Sequence, residues 1–361
     1  MEIKINETKS IYILHKVSQV DLALSIRHMA VMLESGLALE DTLEVLGKQS
    51  PNALLKNAYT DILKEVRSGK TTSSAMRKHP KIFSEVIISI VEVGEQGGTL
   101  EKNLSFLAIF LKKNYELLRK VKGAMFYPLI IFLLTSVEML GVVYFILPKM
   151  ESLFNAFEDP PFLTTLVLDV SKFMRNNILY ILIAIFIVFV AFYKFFKTKT
   201  GKDLKDRIMI SIPLIKELTR KNILATFSRT LGILLESGIP LADALKITAT
   251  TTGNVVYSKI FTDLQSEVQK GKNIANVLER YPKYFPPLYV KMISVGEKTA
   301  TLEDNLLYLY DFYAEEVEEM TSNMSTIIEP LLLIFIGLMV AVLAISIVGP
   351  IYQLTGNINQ L

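Results

Sequence analysis

The chain contains no cysteine among its 361 residues and only three histidines, His15, His28 and His79. Without cysteine, neither a disulfide framework nor a thiolate metal site can form. The spacing of the histidines places no two of them on one helical face. We therefore expect no metal and no cofactor.

The chain has no large excess of either positive or negative charge, because it contains 39 lysine and arginine residues and 36 aspartate and glutamate residues. A net charge of +3 is too small to indicate binding to nucleic acid. The segment Arg67–Thr71 ends like a phosphate-binding loop, but Lys64 stands where that motif needs its first glycine. We interpret Gly69-Lys70 as a helix C-terminus with a solvated lysine, and we predict no enzyme activity.

Hydrophobic residues are abundant, at 51% of the chain with a mean hydropathy of +0.37. They concentrate in three runs, Pro128–Leu147, Ile178–Phe196 and Pro330–Val348. Each run approaches the roughly 20 residues that cross a bilayer core as a helix. The sequence therefore predicts an integral membrane protein with three transmembrane helices.

The chain repeats itself at an offset of 202 residues (237 − 35), because Leu33–Gly36 recurs as Leu235–Gly238. At the same offset Val93-Gly94-Glu95 recurs as Val295-Gly296-Glu297, and the register extends into the membrane runs. Such a repeat indicates two copies of one structural unit. Each copy is a domain followed by a span, and the middle span returns the chain so that both domains face the same compartment.

Each domain is predicted to be a helical bundle. Phe83, Val86, Ile87 and Ile90 follow the i, i+3, i+4, i+7 pattern of an amphipathic helix. No period-two pattern stands out, so we predict an all-α protein with about six helices per domain. Gly36 and Gly238 should end the first helix of each copy in the left-handed conformation, and Ser50-Pro51 should begin another helix.

Lysine and arginine cluster before the first span and after the second, and none follows the third. By the positive-inside tendency, the N-terminus and both domains are predicted to be cytoplasmic and the C-terminus periplasmic, in a bacterial inner membrane. The predicted segments are an N-terminal segment 1–19, a first cytoplasmic domain 20–123, a first span 124–148, a periplasmic loop 149–177, a second span 178–196, a second cytoplasmic domain 197–325, a third span 326–349 and a periplasmic tail 350–361. The loop breaks at Asp159-Pro160-Pro161 and then continues as an amphipathic helix for the membrane interface.

Two corners recur in both domains and are the candidate sites. One follows the first helix, at Ser35 and Gly36 and again at Ser237 and Gly238. The other is a glycine-bearing turn that precedes a threonine N-cap, with candidate residues Gly94, Glu95, Gly296 and Glu297. Each is either a plain helix–turn–helix corner or a partner-facing corner in which Glu95 and Glu297 are polar contacts.

Glu138 lies near the centre of the first span, where an ionisable residue costs roughly 2.5–3.5 kcal/mol on insertion scales. Its repeat counterpart is Val340, so the duplicated scaffold does not need the charge. One interpretation is a protonated carboxyl group satisfied by a neighbouring helix or by Thr135 or Ser136. The other is a contact with a membrane helix that is being assembled or moved.

These features resemble the polytopic platform proteins of type II secretion and type IV pilus machines. The resemblance depends on the two L-x-S-G corners and on the segment Gly94–Leu100, with further similarity after Leu147-Pro148 and at Ile212–Ile215 ahead of Phe227–Thr230. It implies an inner-membrane protein that contacts a hexameric cytoplasmic ATPase, pilins or pseudopilins and other machine components. It also implies self-association and no catalysis. The alternatives are a small membrane transporter or channel subunit, or a membrane-anchored signalling protein.

Overall fold

The computed structural model describes residues 17–124, 126–149 and 162–358. Within these ranges the chain forms helices and no strand, which confirms the all-α prediction. Most of the predicted N-terminal segment, the Asp159-Pro160-Pro161 break and the last three residues lie outside the described residues.

The first copy of the repeat contains six helices, as predicted. They are α1 (Gln19–Glu34), α2 (Leu39–Gln49), α3 (Ala53–Arg67), α4 (Thr72–Met76), α5 (Glu85–Gly97) and α6 (Leu100–Ala124).

The middle of the chain contains α7 (Phe126–Gly141) with a π-helical turn at Val142–Ile146, α8 (Phe162–Asn176), α9 (Ile178–Lys197) and α10 (Lys199–Met209). The second copy follows as α11 (Pro213–Glu236), α12 (Leu241–Thr251), α13 (Val255–Gln269), α14 (Ile274–Leu278), α15 (Pro287–Thr299) and α16 (Leu302–Ile358). Helices α12 to α15 begin and end 202 residues after α2 to α5. The offset found in the sequence is therefore also the offset of the helix boundaries.

The described chain divides into two units. The first, called here the helical unit, comprises Met1–Arg119 and Met209–Val317 and holds most of both repeat copies. Its buried apolar side chains form one continuous cluster that includes Ile26 and Tyr59 of the first copy and Phe227 of the second. The two predicted bundles therefore share a single hydrophobic core.

The second unit, called here the apolar unit, comprises Lys120–Ile208 and Glu318–Leu361. Two of its helical stretches, Leu129–Lys149 and Ile178–Lys197, are long and apolar enough to cross a membrane, and α9 buries none of its residues. Within the third predicted span, the apolar stretch among described residues is the shorter Leu332–Val342. The structure thus describes two helices of spanning length and composition where the sequence predicts three.

The start of α3 differs from the prediction. Ser50 is the C-cap of α2, and the N-cap of α3 is Asn52. The Asn52 side-chain oxygen accepts hydrogen bonds from the amides of Leu54 at 3.0 Å and Leu55 at 3.3 Å. The Ser50-Pro51 prediction is wrong because a short acceptor side chain two residues later satisfies the first free amides of the helix.

Candidate functional site: the helix corners and the contact between the copies

The corner after the first helix of each copy is a Schellman motif. Gly36 has φ +83°, its amide donates to the carbonyl of Leu33 at 2.9 Å, and the Leu37 amide donates to the carbonyl of Met32 at 3.0 Å. Gly238 has φ +85° and repeats this pattern. A left-handed residue after a helix is most easily glycine, so the predicted role of both glycines is confirmed.

The two L-x-S-G corners have the same backbone but different surroundings. Ser35 is exposed, whereas Ser237 is buried. The side-chain amide of Asn103, on α6, donates to the carbonyl of Ile90 at 3.3 Å and to that of Ser237 at 3.5 Å. The second corner therefore lies in a contact with the first copy, while the first corner remains open.

The predicted glycine-bearing turn is shorter than expected. Helix α5 continues through Gly94 and Glu95 to Gly97, and only Gly98 has a left-handed conformation, with φ +66°. Gly94 is nevertheless constrained, because a Cβ atom there would lie 3.0 Å from the Cα atom of Leu100. Its function is to let α6 approach α5 closely rather than to form the turn.

The second copy repeats this arrangement with one strained residue. A Cβ atom on Gly296 would lie 2.9 Å from the Cα atom of Leu302 and 2.8 Å from the Nδ2 atom of Asn305. The left-handed position belongs to Ala300, the one non-glycine residue with positive φ (+54°) in the described ranges. Alanine pays a steric cost there that Gly98 avoids.

Glu95 binds the N-terminus of the short helix α4. Its Oε1 atom accepts from the Thr72 amide at 2.5 Å, and its Oε2 atom accepts from the Ser73 amide at 3.0 Å and the Ser73 hydroxyl at 2.7 Å. A carboxylate is favoured at this position by the free amides and the dipole of the helix.

Glu297 performs the same task in the second copy. Its Oε1 and Oε2 atoms accept hydrogen bonds from the amides of Ile274 at 2.5 Å and Ala275 at 3.0 Å, at the start of α14. Both carboxylates thus connect the end of one helix to the start of another. Their interpretation as partner contacts stays a prediction beside this internal role.

The segment that resembles a phosphate-binding loop is a helix terminus, as interpreted from the sequence. Gly69 has φ +85°, and Lys70 donates to Glu65 at 2.5 Å while Lys78 contacts the same carboxylate at 2.7 Å. Hydrogen bonds from these two lysines lower the pKa of Glu65 to about 2. The lysine is therefore engaged with a carboxylate of its own chain.

The second copy has an equivalent cluster around Glu267. Lys270 lies 3.0 Å from its carboxylate and Arg280 lies 3.2 Å from it, and Lys272 also bonds to it. Hydrogen bonds from Lys272 and Lys270 lower the pKa of Glu267 to about 2.

Arg229 is a buried cation between the two copies that no sequence motif marks. It donates to the hydroxyl of Tyr310 at 2.9 Å and to the carbonyl of Ile109, on α6 of the first copy, at 3.0 Å. Its guanidinium also lies over the rings of Phe110 and Tyr310. Burial lowers the pKa of Arg229 to about 10, so the group remains charged at neutral pH. The repeat pairs it with Arg27, which is exposed, and that contrast in surroundings is invisible in the sequence.

Glu138 is exposed on α7 within the chain. The hydroxyl of Thr135 donates to the carbonyl of Ile131 at 2.9 Å, and that of Ser136 donates to the carbonyl of Phe132 at 2.7 Å. Each hydroxyl donates to its own helix and keeps lone pairs that could accept from a protonated Glu138. Both interpretations of Glu138 therefore stay predictions.

Across the part of the chain that the structure describes, no group of three histidine, aspartate or glutamate side chains could hold a metal ion. The expectation of no cofactor stays a prediction. What the site offers chemically is a set of helix caps, close helix contacts and one buried cation between two copies.

Comparison with known proteins adds the family. The family model "Type II secretion system (T2SS), protein F" matches residues 25–148 and again residues 227–350. The two matches start 202 residues apart (227 − 25), as the internal repeat does. The chain belongs to the type II secretion system protein F family.

Relatives of this protein F family member carry names from two machines. The chain is 34% identical over 344 residues to the type IV pilus assembly protein PilC of Thermus thermophilus, and the match covers 94% of this chain and 84% of that protein. It is 29% identical over 345 residues to PilC of Pseudomonas aeruginosa, covering 95% and 92%. It is 27% identical over 350 residues to the type II secretion system protein F of Vibrio cholerae, covering 95% and 85%. None of these names describes an enzyme.

Proposed function

We propose that this chain is the inner-membrane platform protein of a type IV pilus, type II secretion or competence machine. It would couple a cytoplasmic hexameric ATPase to the assembly of pilins or pseudopilins. The observation that carries the proposal is the protein F match to both repeat copies, together with relatives named for pilus assembly and secretion. The names of the relatives refer to assembly and secretion and not to an enzyme, which supports a mechanical role.

A membrane location is supported by the exposed apolar helices. On α9, Leu179, Phe186 and Phe189 are all more than half exposed, and no residue of that helix is buried. Exposed apolar surface on this scale is costly in water and indicates a lipid or protein environment. The amphipathic helix α8 also exposes apolar side chains, among them Val170 and Phe173, which suits an interfacial position.

The proposed topology has three spans, the third of which lies inside α16. The N-terminus and both domains are cytoplasmic, and the C-terminus is periplasmic.

The cysteine-free chain allows a direct test by single-cysteine labelling in whole cells. Ser74 and its counterpart Asn276 are exposed in both copies, and Asn176 lies at the end of α8. We expect an impermeant maleimide to label Asn176→Cys in intact cells and to label Ser74→Cys and Asn276→Cys only after the inner membrane is opened. Labelling of Ser74→Cys and Asn276→Cys from opposite sides would refute the topology.

The partners are tested by purifying the full chain in detergent with the pilus- or secretion-type ATPase and the major pilin encoded in the same genome. We expect both to copurify, and deletion of the gene in its host to abolish surface pili or secretion. Failure of both partners to copurify, combined with substrate flux through vesicles that contain the protein, would favour the transporter alternative instead.

Glu138 is proposed to contact a membrane helix during assembly. Its carboxylate is exposed on an apolar helix, where an unpartnered charge is expensive. Glu138→Gln should leave insertion and thermal unfolding unchanged but reduce pilus assembly or secretion, with Ser136→Ala as the matched control on the same helix. Full activity of Glu138→Gln would contradict the proposal.

A further inference from the structure

The contact between the two repeat copies is not symmetric. The first copy supplies α5 and α6, from which Asn103 bonds to Ser237 of the second copy and Val93 lies against Gly238. In a two-fold arrangement the counterparts Asn305 and Ser35 would meet as well. Ser35 is exposed instead, and the Asn305 amide donates to Met292 of its own copy. The contact therefore joins two different faces, so each copy has one face that the described residues of the chain leave uncovered.

The uncovered face of the first copy, called here the open corner face, comprises Val31, Ser35 and Leu37 around the first L-x-S-G corner. Val31 and Leu37 are 42% and 39% exposed, whereas their counterparts Ile233 and Ile239 are 6% and 4% exposed. A groove of about 430 Å³ runs beside this face between α1 and α2. The corner residues that are buried in the second copy are thus exposed in the first, next to an open groove that Val31 also lines.

The uncovered face of the second copy, called here the open stripe face, comprises Leu288, Met292 and Val295 on α15. Leu288 is 52% exposed, whereas its counterpart Val86 is 4% exposed, and Val295 is 40% exposed. These three residues follow the i, i+4, i+7 spacing of one helical face. In the first copy the equivalent stripe on α5 is the surface against which α11 and α12 pack.

We propose that the open corner face of one chain binds the open stripe face of a second copy of the same chain. The chain itself holds the template for this contact, because it already joins the same two faces internally with the same serine, glycine and asparagine positions. A second copy is the occupant that carries both complementary surfaces. Such a face-to-back contact is heterologous and generates a ring where the rotation closes and a row of chains where it does not.

Charge also distinguishes the open stripe face from its counterpart in the first copy. Lys291 and Lys298 are exposed beside the open stripe face, and their counterparts in the first copy are Ser89 and Gln96. The open corner face is bordered by the exposed Glu34. Opposite charges at the rim of an interface guide association and fix its register. The contact between chains can therefore be favoured without strengthening the one within a chain.

Cysteine cross-linking of the full chain in native membranes tests the proposal. Ser35→Cys with Val295→Cys places one thiol on each open face, and oxidation should produce disulfide-linked dimers and larger species. The matched control is Ser74→Cys with Val295→Cys, since Ser74 and its counterpart Asn276 are exposed in both copies. Ser237→Cys with Val93→Cys is a positive control. It should form a disulfide within one chain, because Val93 lies against the second corner in the internal contact.

A disruptive variant completes the test. Leu288→Glu places a charge on the open stripe face without touching the core, and we expect it to lower the cross-linked fraction of the Ser35→Cys, Val295→Cys pair by about tenfold or more, equivalent to roughly 1.4 kcal/mol. Native mass spectrometry of Leu288→Glu should show the same loss of oligomers, while its thermal unfolding stays that of the unmodified chain. Equal cross-linking of the Ser35 and Ser74 pairs, or cross-linking that survives Leu288→Glu, would overturn the proposal.

Discussion

Replacing Glu297 with alanine should loosen the start of α14. Its carboxylate accepts the amides of Ile274 and Ala275, two residues that are almost fully buried. Each buried amide that loses its acceptor costs about 1–3 kcal/mol. Because water can replace part of the lost bonding at a helix end, we expect the local opening of α14 to become easier by about 2–4 kcal/mol in total.

Hydrogen exchange measured by mass spectrometry on the full chain in detergent reports this change locally. A loss of 2 kcal/mol corresponds to roughly 30-fold faster exchange for peptides that contain α14. Glu297→Gln keeps one acceptor oxygen and should give an intermediate effect. Glu279→Ala, an exposed glutamate directly after α14, is the matched control and should change exchange little.

The same series distinguishes an internal cap from a partner contact. If exchange in α14 is unchanged in Glu297→Ala while binding of the ATPase or pilin is lost, the capping argument is refuted and the carboxylate serves a partner. Glu95→Ala repeats the experiment in the first copy. It removes three hydrogen bonds from Thr72 and Ser73, so α4 should open more easily.

Three further changes follow from the contacts. Ala300→Gly should raise the free energy of unfolding by about 1 kcal/mol, because glycine adopts φ +54° without the steric cost of a Cβ atom; an unchanged or lower unfolding midpoint in urea would contradict this. Glu65 and Glu267 have pKa values lowered to about 2, so their pairing stabilises the fold above the ordinary glutamate pKa and is lost as the pH falls from about 4.5 towards 2. Thermal unfolding midpoints should therefore drop over that range, and drop less when both are replaced by glutamine. Arg229→Met should lower the free energy of unfolding by about 1–3 kcal/mol, because buried partners lose a charged donor, whereas Arg27→Met should be near neutral; equal effects would show that the buried contact contributes nothing.

The end of the first helix in each copy could be predicted because a local signal marks it. Gly36 and Gly238 end helices through a backbone conformation that glycine adopts easily, and their positions recur at a constant offset. The wrong assignment at Ser50-Pro51 shows the limit of such signals. Asn52 was an equally good cap two residues later, and only the extent of α2 decided between them.

The interiors of the two copies illustrate what local signals miss. In the first copy the hydroxyl of buried Tyr59 donates to Ser25 at 2.8 Å. At the equivalent positions of the second copy, Phe261 stacks on Phe227 with ring centroids 3.9 Å apart. Each pair fills the same position of the core. The tyrosine is accommodated because its buried hydroxyl has a hydrogen-bond partner in Ser25, and the phenylalanine pair has no polar group that needs one. The sequence lists all four residues but does not say which ones meet.

By itself the sequence determined the duplication, the helical class, the apolar runs and the family resemblance, since each depends on periodicity or on residues close together in the chain. The tertiary structure decided which equivalent residues differ. Ser35 and Ser237 stand in the same L-x-S-G sequence, and Arg27 and Arg229 occupy the same position of the repeat, yet one of each pair is exposed and the other is buried against the opposite copy. Burial depends on contacts between residues more than a hundred positions apart, and no local pattern encodes an asymmetric contact between two like domains.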